Sequence, residues 1–546
     1  MNKIGFQNFR RFSYFSPLGF REITFLVGRN NAGKSTLVKA LLLVQEYLTS
    51  HGLKTFSFGN SVLEDANIVT YDRAKNKNAK ENFIKFNYQL GNYTVEIKVS
   101  GEDGKTYADV HSLSILDIKD NIEFYFEPQV SQITINKWLD SDDNNEGKEP
   151  VNVISKLNQE IEILKLAVEK SDLKKSSKEY IELVDKLKSI QKKRNDLVHP
   201  KSDESLSFDG SNDKDEYLSF DGNNDKEDDL NPVAEPQFKD NAPEPFSIST
   251  FYVEGMSLAE IVDYIIKEAT FIHDQEFVKI QKGETQSLFF ENYRCFMLEK
   301  FNIDATFRNF IDTLFPRSYQ YLGANPSKQT ALFSIRDKNN ALAQAINKFY
   351  QLGIKPGEKE YLFVLKWMKE FEVGESFSIV LHAGEAYEVE INSNGSIIHL
   401  ADKGMGSIQA MLLIFRLASI IHNWQNGFIT VIIEEPELNL HPALQSKLAD
   451  LFLEVHDKYK INFIVETHSE YIIRKSQVLV AKGELAVSPN VSPFCVYYFP
   501  GDNNQEPYQL EYKEDGTFSG NFGDGFFDAA SGSTLELIKL KRKNKE

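Results

Sequence analysis

Apolar and polar positions alternate along the first 130 residues in the manner of short strands separated by turns. Ile4, Phe6 and Phe9 predict an edge strand near the start of the chain. Period-two alternation predicts three further strands, at residues 83–89, 93–99 and 122–126. We therefore expect a β-rich subdomain in this part of the chain.

Between residues 152 and 197 the period changes to that of a helix, because apolar residues recur every three or four positions. The two sets are Ile154, Leu157, Ile161, Leu164 and Val168, then Leu183, Leu187 and Ile190. They predict a helical hairpin whose arms are short for a coiled coil. A protruding coiled-coil arm and an ordinary two-helix insert packed on the body both fit this pattern.

The second half of the chain mixes helices and strands. Helical spacing predicts helices at residues 258–266, 288–299, 307–314, 342–350 and 361–370. Strands are predicted at residues 318–322, 377–381, 387–391 and 396–400. From residue 492 onward, alternating apolar residues predict a hairpin near the C-terminal end.

A buried strand at Phe25, Leu26 and Val27 runs into a glycine-rich loop and then into a helix. The loop matches the pattern G-x-x-x-x-G-K-[ST], and its candidate ligand-binding residues are Gly28, Asn30, Asn31, Ala32, Gly33, Lys34, Ser35 and Thr36. The glycines let backbone N–H groups face an anion, and the helix N-terminus adds positive potential. Lys34 is expected to reach the β- and γ-phosphates of a nucleotide, and Ser35 to hold Mg²⁺.

A second apolar strand, predicted at residues 427–433, ends in Glu434 and Glu435. Two acids after a buried strand are costly without a nearby cation. Glu434 is therefore a candidate Mg²⁺ ligand through water, and Glu435 a candidate general base that orients the attacking water.

Two further segments carry candidate chemistry. A strand at residues 462–465 leads to His468, which could contact the γ-phosphate. A glycine-rich turn with Gly404, Gly406 and Ser407 opens a predicted helix at residues 411–421. That turn is a candidate second anion-binding helix N-terminus.

Composition narrows the class of protein. With 546 residues and a 41% hydrophobic share, the chain can form two or three domains with a sizeable core. The absence of 18 consecutive apolar residues predicts no membrane span, and only two cysteines among 546 residues agree with a cytoplasmic location. The net charge of −18 argues against a uniformly basic nucleic-acid binder, although a local basic groove remains compatible with it.

Part of the negative charge comes from an acidic tandem repeat at residues 206–217 and 218–229. Its Asp and Asn residues resemble calcium ligands, but Gly210 and Gly222 directly follow an Asp, unlike the glycine of an EF-hand loop. A disordered acidic linker over residues 201–247 is the favoured interpretation, with calcium binding as the alternative.

Taken together, the segments IIEEPELNLHP, FIVETHSEY, GRNNAGKST and LADKGMGSIQ resemble those of bacterial ABC-type AAA ATPases. That group includes the ATPase halves of overcoming-lysogenization-defect proteins and is related to SMC-type ATPases. The resemblance covers about residues 1–130 and 315–530. It implies ATP and Mg²⁺ as cofactors, Gly28 to Thr36 as the Walker A loop and Glu434 with Glu435 as the end of Walker B.

The resemblance also implies that Gly404, Gly406 and Ser407 form the signature region and that His468 is the switch histidine. In the family, two heads sandwich ATP, so a head-to-tail dimer or higher oligomer is expected. The acid Glu434 replaces the more usual Asp, and Gln89 is a weak candidate for the glutamine of the Q-loop.

The stretch after His468 is too short for the Toprim nuclease domain of the overcoming-lysogenization-defect proteins. The chain therefore looks similar to the stand-alone ATPases of Septu-type anti-phage systems, including retron-linked ones. That similarity implies an HNH nuclease partner, with a reverse transcriptase and the RNA or DNA of a retron as further partners. Alternatives are an SMC-like DNA repair ATPase and a non-hydrolysing ATP-dependent scaffold; a transporter subunit fits least.

These observations predict an α/β ABC-type P-loop ATPase head with a β-rich subdomain, a helical insert and a disordered acidic linker. The expected divisions are an N-terminal ATPase lobe, a hairpin insert, the linker, a helical region and a C-terminal ATPase lobe. Their bounds are residues 1–130, 131–200, 201–247, 248–355 and 356–546.

Overall fold

The computed structural model describes residues 2–50, 52–59, 68–137, 246–261, 263–265, 303–314, 317–323, 330, 332–337, 340–424, 428–482, 492–501, 506–523 and 536. The predicted hairpin at 152–197, the acidic repeat, residues 201–245 of the linker and the predicted helix at 288–299 lie outside these residues. The predicted end of the linker at residue 247 is wrong, because the strand Phe246–Tyr252 already begins at Phe246. The chain divides into two units, Met1–Asp120 with Phe124–Thr134 and Thr250–Glu546, and Asn121–Glu123 with Ile135–Ser249. The candidate site lies within the first unit.

The described chain contains both strands and helices in a mixed α/β arrangement. The strands are β1 (Lys3–Phe9), β2 (Phe12–Gly19), β3 (Ile23–Gly28), β4 (Thr55–Ser57), β5 (Ile84–Leu90), β6 (Tyr93–Ser100), β7 (Tyr107–Asp117), β8 (Ile122–Glu127), β9 (Gln132–Lys137), β10 (Phe246–Tyr252), β11 (Arg317–Leu322), β12 (Phe333–Ser334), β13 (Ser376–His382), β14 (Ala386–Ser393), β15 (Ser396–His399), β16 (Phe428–Glu434), β17 (Asn462–Glu466), β18 (Phe494–Phe499) and β19 (Tyr508–Leu510). The α-helices are α1 (Lys34–Leu48), α2 (Tyr71–Ala74), α3 (Ile303–Leu314), α4 (Ala341–Gln351), α5 (Lys359–Glu370), α6 (Met405–Asn423), α7 (Pro442–Tyr459) and α8 (Glu470–Ala481).

The central sheet has six strands in the order β11-β16-β17-β3-β18-β19. Its first five strands pair in parallel, and β19 closes the sheet as an antiparallel partner of β18. Strand β3 is buried at every position, and so is β18. The order places the ends of β16, β17 and β3 side by side, because parallel strands share one carboxyl edge.

Helices α4 to α8 supply the apolar side chains that cover this sheet. The most apolar of them is α6, which is buried along most of its length. Of the described helices, α6 alone has the length and apolar composition that a membrane crossing requires, and 72% of its apolar window is buried inside the protein, as in core helices.

The β-rich part of the chain departs from the sequence prediction in one respect. Strand β1 pairs with β2 on one side and β5 on the other, so the prediction of an edge strand at Ile4, Phe6 and Phe9 is wrong. All three side chains are buried, and Phe6 and Phe9 pack against other aromatic rings. Strands β5, β6 and β8 confirm the predictions at 83–89, 93–99 and 122–126, whereas β7 was not predicted.

Two predictions in the C-terminal part are also corrected. Helix α6 begins at Met405, six residues before the predicted start at Met411, so the signature turn lies within its first turn. The C-terminal hairpin is confirmed as β18 and β19, but β18 is also an interior strand of the central sheet, next to β3. Sequence alternation did not indicate this position, because both faces of β18 are buried.

Candidate nucleotide-binding site

The loop between β3 and α1 is shaped by two glycines in backbone conformations that other residues rarely adopt. Gly28 has φ 136° and Gly33 has φ 104°. A Cβ at Gly28 would lie 2.2 Å from the Phe499 carbonyl oxygen, and one at Gly33 would lie 2.4 Å from the ring of Phe12. Both glycines are therefore required by close neighbours as well as by the turn itself.

Lys34 opens α1, and its side chain turns back over the loop. Its Nζ donates to the carbonyl oxygens of Gly28, at 3.2 Å, and Arg29, at 2.9 Å. It lies 3.8 Å from Oε1 of Glu466 at the end of β17. Burial lowers the pKa of Lys34, while the charges of Glu466, Glu435 and Glu437 oppose that change. The lysine is thus a buried cation held at the mouth of the loop.

The acidic residues gather at the carboxyl edge of the central sheet. Glu434 and Glu466 are paired in register across β16 and β17, and the Glu435 N–H donates to the Glu466 carbonyl oxygen at 2.8 Å. Ser35 Oγ donates to Glu466 Oε1 at 3.0 Å. The structure therefore brings Lys34 and Ser35 into contact with Glu466 at the end of β17, and Glu434 at the end of β16 lies next to Glu466.

Three carboxylate oxygens at this edge are buried without a hydrogen-bond partner: Glu434 Oε1, Glu437 Oε2 and Glu466 Oε2. Burial raises the pKa of Glu434 and Glu437, and it is also the largest cause that raises the pKa of Glu466, to about 7. The charge of Glu434 raises it further, whereas Lys34 and Ser35 lower it. Such uncompensated oxygens are the environment that a divalent cation neutralises.

The residues present fit Mg²⁺ held partly by a nucleotide. Among the described residues, no group of three or more His, Cys, Asp or Glu side chains is arranged to hold a metal ion alone. Mg²⁺ commonly takes only one or two carboxylates, with phosphate and water filling the other positions. Ser35 and Glu434 would supply the protein side of such a site.

His468 follows β17 and approaches the acids from the side of α8. Its Nε2 lies 3.7 Å from Glu435 Oε1, and its backbone N–H donates to Glu437 Oε1 at 2.6 Å. Burial and then the charge of Lys34 lower the pKa of His468, with Glu435 opposing them. Glu435 itself has φ 46°, a left-handed conformation that turns the chain away from β16.

A cavity of about 880 Å³ opens in front of the loop and is strongly basic. The residues that line it include Asn31, Ala32, Gly33, Lys34, Ser35 and Thr36 of the loop, with Glu466. Its cationic side chains are Arg10, Arg11, Lys34, Lys39, Arg73, Lys75 and Lys77, against Asp72 and Glu466 as acids. A cationic cavity in a chain of net charge −18 selects an anionic ligand.

The predicted signature residues lie elsewhere. Gly404 caps α6, and Gly406 and Ser407 follow in the first turn of that helix. A Cβ at Gly406 would lie 2.7 Å from the Asn439 carbonyl oxygen, so this glycine lets α6 approach the loop after β16. None of the three residues lines the basic cavity, and neither does Gln89, which lies on β5.

Sequence reasoning missed several residues of this site. Glu466 and Glu437 complete the acidic edge, and Arg10, Arg11 and Lys39 supply cations. Arg11 Nη1 donates to the Asn31 carbonyl oxygen, which joins the β1–β2 turn to the loop. Glu466 could have been found, because it ends an apolar strand just as Glu434 does; the cations carry no comparable signal.

A parallel sheet, a glycine loop leading into α1, and acids on the neighbouring strands together define the P-loop class of nucleotide-binding proteins. The chain belongs to the AAA ATPase domain family, whose family model matches residues 1–473. It is therefore an ATPase of the AAA type. No curated protein matches the chain.

Three solved structures are similar to the chain at low identity. The Smc head domain with an extended coiled coil bound to the C-terminal domain of ScpA, from Pyrococcus furiosus, is 11% identical, covers 99% of this chain and 100% of its own, and has a TM-score of 0.34. The Smc head bound to the C-winged helix domain of ScpA is 9% identical over 94% of this chain and 95% of its own, with a TM-score of 0.31. The Smc head domain with a coiled coil and joint from Pyrococcus yayanosii is 10% identical over 94% and 98%, with a TM-score of 0.32.

Proposed function

We propose that the protein is a Mg²⁺-dependent ATP hydrolase of the ABC type. The observation that carries this proposal is the meeting of Lys34 and Ser35 with Glu466 beside Glu434, at the edge of one parallel sheet. Lys34 would bind the β- and γ-phosphates, and Ser35 with Glu434 would hold Mg²⁺, which would neutralise charge on those phosphates.

Glu435 is proposed as the group that accepts a proton from the attacking water. It lies beside the sheet edge, with its carboxylate 3.7 Å from His468 Nε2. Because burial lowers the pKa of His468, the imidazole is neutral near pH 7 and can donate one hydrogen bond to the γ-phosphate. The pair would thus fix the water and the phosphate relative to each other.

Replacing Lys34 by Ala tests the site directly. The change removes the buried cation that would bind the phosphates, so ATP affinity should fall by roughly tenfold or more. Lys85→Ala is the matched control, because Lys85 pairs with Glu96 on the β-rich sheet and does not line the cavity. Normal ATP binding and turnover by folded Lys34→Ala would show that the site is wrongly assigned.

We further propose that two or more copies bind ATP head to tail, with Gly404, Gly406 and Ser407 of one copy completing the site of another. This arrangement agrees with the lining of the basic cavity, which includes none of the three residues of the same chain. By motif resemblance, the ATPase would act in the cytoplasm in a bacterial anti-phage system of the Septu or retron-linked type. It would regulate an HNH nuclease, with a reverse transcriptase and retron RNA or DNA as further partners.

This division of labour has its own test. The purified protein should hydrolyse ATP but leave DNA and RNA intact with either Mg²⁺ or Mn²⁺, and cleavage should appear only with a second polypeptide. That cleavage should respond to Glu435→Gln, because nucleotide state would set the arrangement that the partner contacts. Cleavage by this chain alone, abolished by changing an acid outside residues 434–437, would overturn the proposal.

A further inference from the structure

The basic cavity contains more cations than the glycine loop supplies. One of these cations has a side-chain nitrogen without a hydrogen-bond partner. Arg10 lies in the turn between β1 and β2, and its Nη1 is buried without a hydrogen-bond partner. Leaving a charged donor in this state is costly unless a ligand completes it. The orphaned nitrogen therefore marks a place where an anion is expected.

Three separate elements bring cations to this place. Arg10 comes from the β1–β2 turn, Lys39 from α1 and Arg73 from α2, and all three line the cavity. The backbone N–H of Arg10 donates to the Ala74 carbonyl oxygen at 2.6 Å, which fixes the turn against α2. Arg10 is also held at φ 51°, a conformation that a non-glycine residue adopts only when its surroundings impose it.

Arg10 is repelled by both Arg73 and Lys39. Burial and the charge of Arg73 lower the pKa of Arg10, and burial and the charge of Arg10 lower the pKa of Lys39. Glu434 and Glu466 partly compensate Lys39. Like charges gathered in a partly buried place are stabilised by a bound anion with several oxygens, such as phosphate.

Lys39 lies beside the glycine loop and lines the same cavity. Lys39 lies four residues beyond Ser35 on the same helix, about 6 Å further along its axis at 1.5 Å per residue. The triphosphate of a nucleotide is bound at the N-terminus of such a helix. The Lys39 backbone therefore lies one turn beyond the loop, while the charges of Glu434 and Glu466 at the sheet edge still act on its ammonium group.

We propose that Arg10, Lys39 and Arg73 form a second phosphate subsite in the same cavity as the glycine loop. Its ligand is a phosphate group, either the inorganic phosphate released from ATP or a phosphate of a nucleic-acid backbone. The subsite extends the proposed ATPase function, but its ability to bind phosphate does not depend on hydrolysis.

The test uses the full chain with Mg·ADP present, so that the glycine loop is occupied. Radiolabelled inorganic phosphate is measured by equilibrium dialysis, and a fluorescent 20-nucleotide single strand by anisotropy at several salt concentrations. R10Q and R73Q should each weaken one of the two probes by about tenfold. R336Q is the matched control, because Arg336 is 86% exposed and does not line the cavity.

The two probes distinguish the source of the phosphate. Loss of inorganic phosphate binding alone identifies the hydrolysis product as the ligand. Loss of oligonucleotide binding, with the slope of log K against log salt concentration reduced by about one, identifies a nucleic-acid backbone. Lys39→Gln provides the same measurement if R10Q does not fold. Unchanged binding of both probes by R10Q, R73Q and Lys39→Gln overturns the proposal.

A further arm separates this proposal from the proposed ATPase function. Lys34→Ala should lose ATP binding. Its affinity for the probe that R10Q weakens, measured without nucleotide, should stay within about twofold of wild type. If Lys34→Ala loses the probe as strongly as R10Q does, the cations belong to the nucleotide site and no second subsite exists.

Discussion

At the scale of single residues, Lys34 lies among acids at the carboxyl edge of the central sheet, namely Glu466, Glu435 and Glu437. Glu466 is only 6% exposed, and its pKa is raised to about 7 by burial and by Glu434. Between pH 4.5 and about 7, Glu466 is therefore mostly protonated in the folded chain and mostly ionised in the unfolded chain. A bound cation would reverse this preference, so Mg²⁺ would stabilise the folded chain if it binds as proposed.

The raised pKa gives a prediction for stability against pH. Between the ordinary value of 4.5 and the folded value of about 7, the folded chain binds one more proton than the unfolded chain. The stabilisation is therefore complete below pH 4.5 and is lost as pH rises through 7, at about 1.4 kcal/mol per pH unit. Glu466→Gln, which cannot ionise, should raise the melting temperature over wild type more at pH 8 than at pH 5.

Thermal denaturation of nucleotide-free, Mg²⁺-free protein measures this difference. Glu514→Gln is the control, since Glu514 is exposed and lies in the C-terminal segment after β19. An equal change in melting temperature for Glu466→Gln at both pH values would contradict the assigned cause.

Single residues also show what sequence can reveal about the site. Glu434 and Glu435 were predicted because a long apolar strand ends in two acids, which needs a cation nearby. The role of Glu466 depends on its register opposite Glu434, and register between strands 30 residues apart is a tertiary property. Arg10 precedes the loop in the chain without any spacing that would link it to Lys39.

At the scale of elements, β18 is the strand that sequence placed least well. Alternating apolar residues predicted a hairpin without a place in the central sheet, and β18 lies beside β3 with all six positions buried. Phe499 ends opposite Gly28, and its carbonyl oxygen accepts from the Arg29 N–H at 3.4 Å. The first glycine of the loop is thus dictated by the neighbouring strand, a requirement that a motif alone does not reveal.

Gly28→Ala tests this requirement. The new methyl group would meet the Phe499 carbonyl oxygen, and φ 136° is unfavourable for Ala, so we expect a loss of roughly 3 kcal/mol or more in unfolding free energy. Gly357→Ala is the matched control, because Gly357 has φ 94° but has no atom within 4 Å of the added Cβ. Its loss should stay near 1–2 kcal/mol, the cost of the backbone conformation alone.

Denaturant unfolding of both variants gives the comparison. Equal losses for Gly28→Ala and Gly357→Ala would mean that backbone conformation, not contact with β18, determines the glycine.

At the scale of the whole molecule, the expected effect of nucleotide is on assembly. If the signature residues complete the site of a second copy, slowing hydrolysis should trap the ATP-bound complex. Glu435→Gln with Mg·ATP should therefore sediment as a dimer or larger species, whereas the double variant Lys34→Ala with Glu435→Gln should not. A monomer in every nucleotide condition would contradict head-to-tail assembly.

The order of strands in the central sheet also has a consequence for synthesis of the protein on the ribosome. Strand β3 and its loop are synthesised well before both neighbours of β3, Asn462–Glu466 and Phe494–Phe499, which are encoded more than 400 residues later. At 5–20 residues per second, a nascent chain would carry an unpartnered loop strand for roughly 20 to 90 seconds. During that interval Lys34 has no Glu466 to face, so an interrupted translation product could not assemble the nucleotide site. Assembly of the site would therefore wait until Asn462–Glu466 and Phe494–Phe499 have both been synthesised.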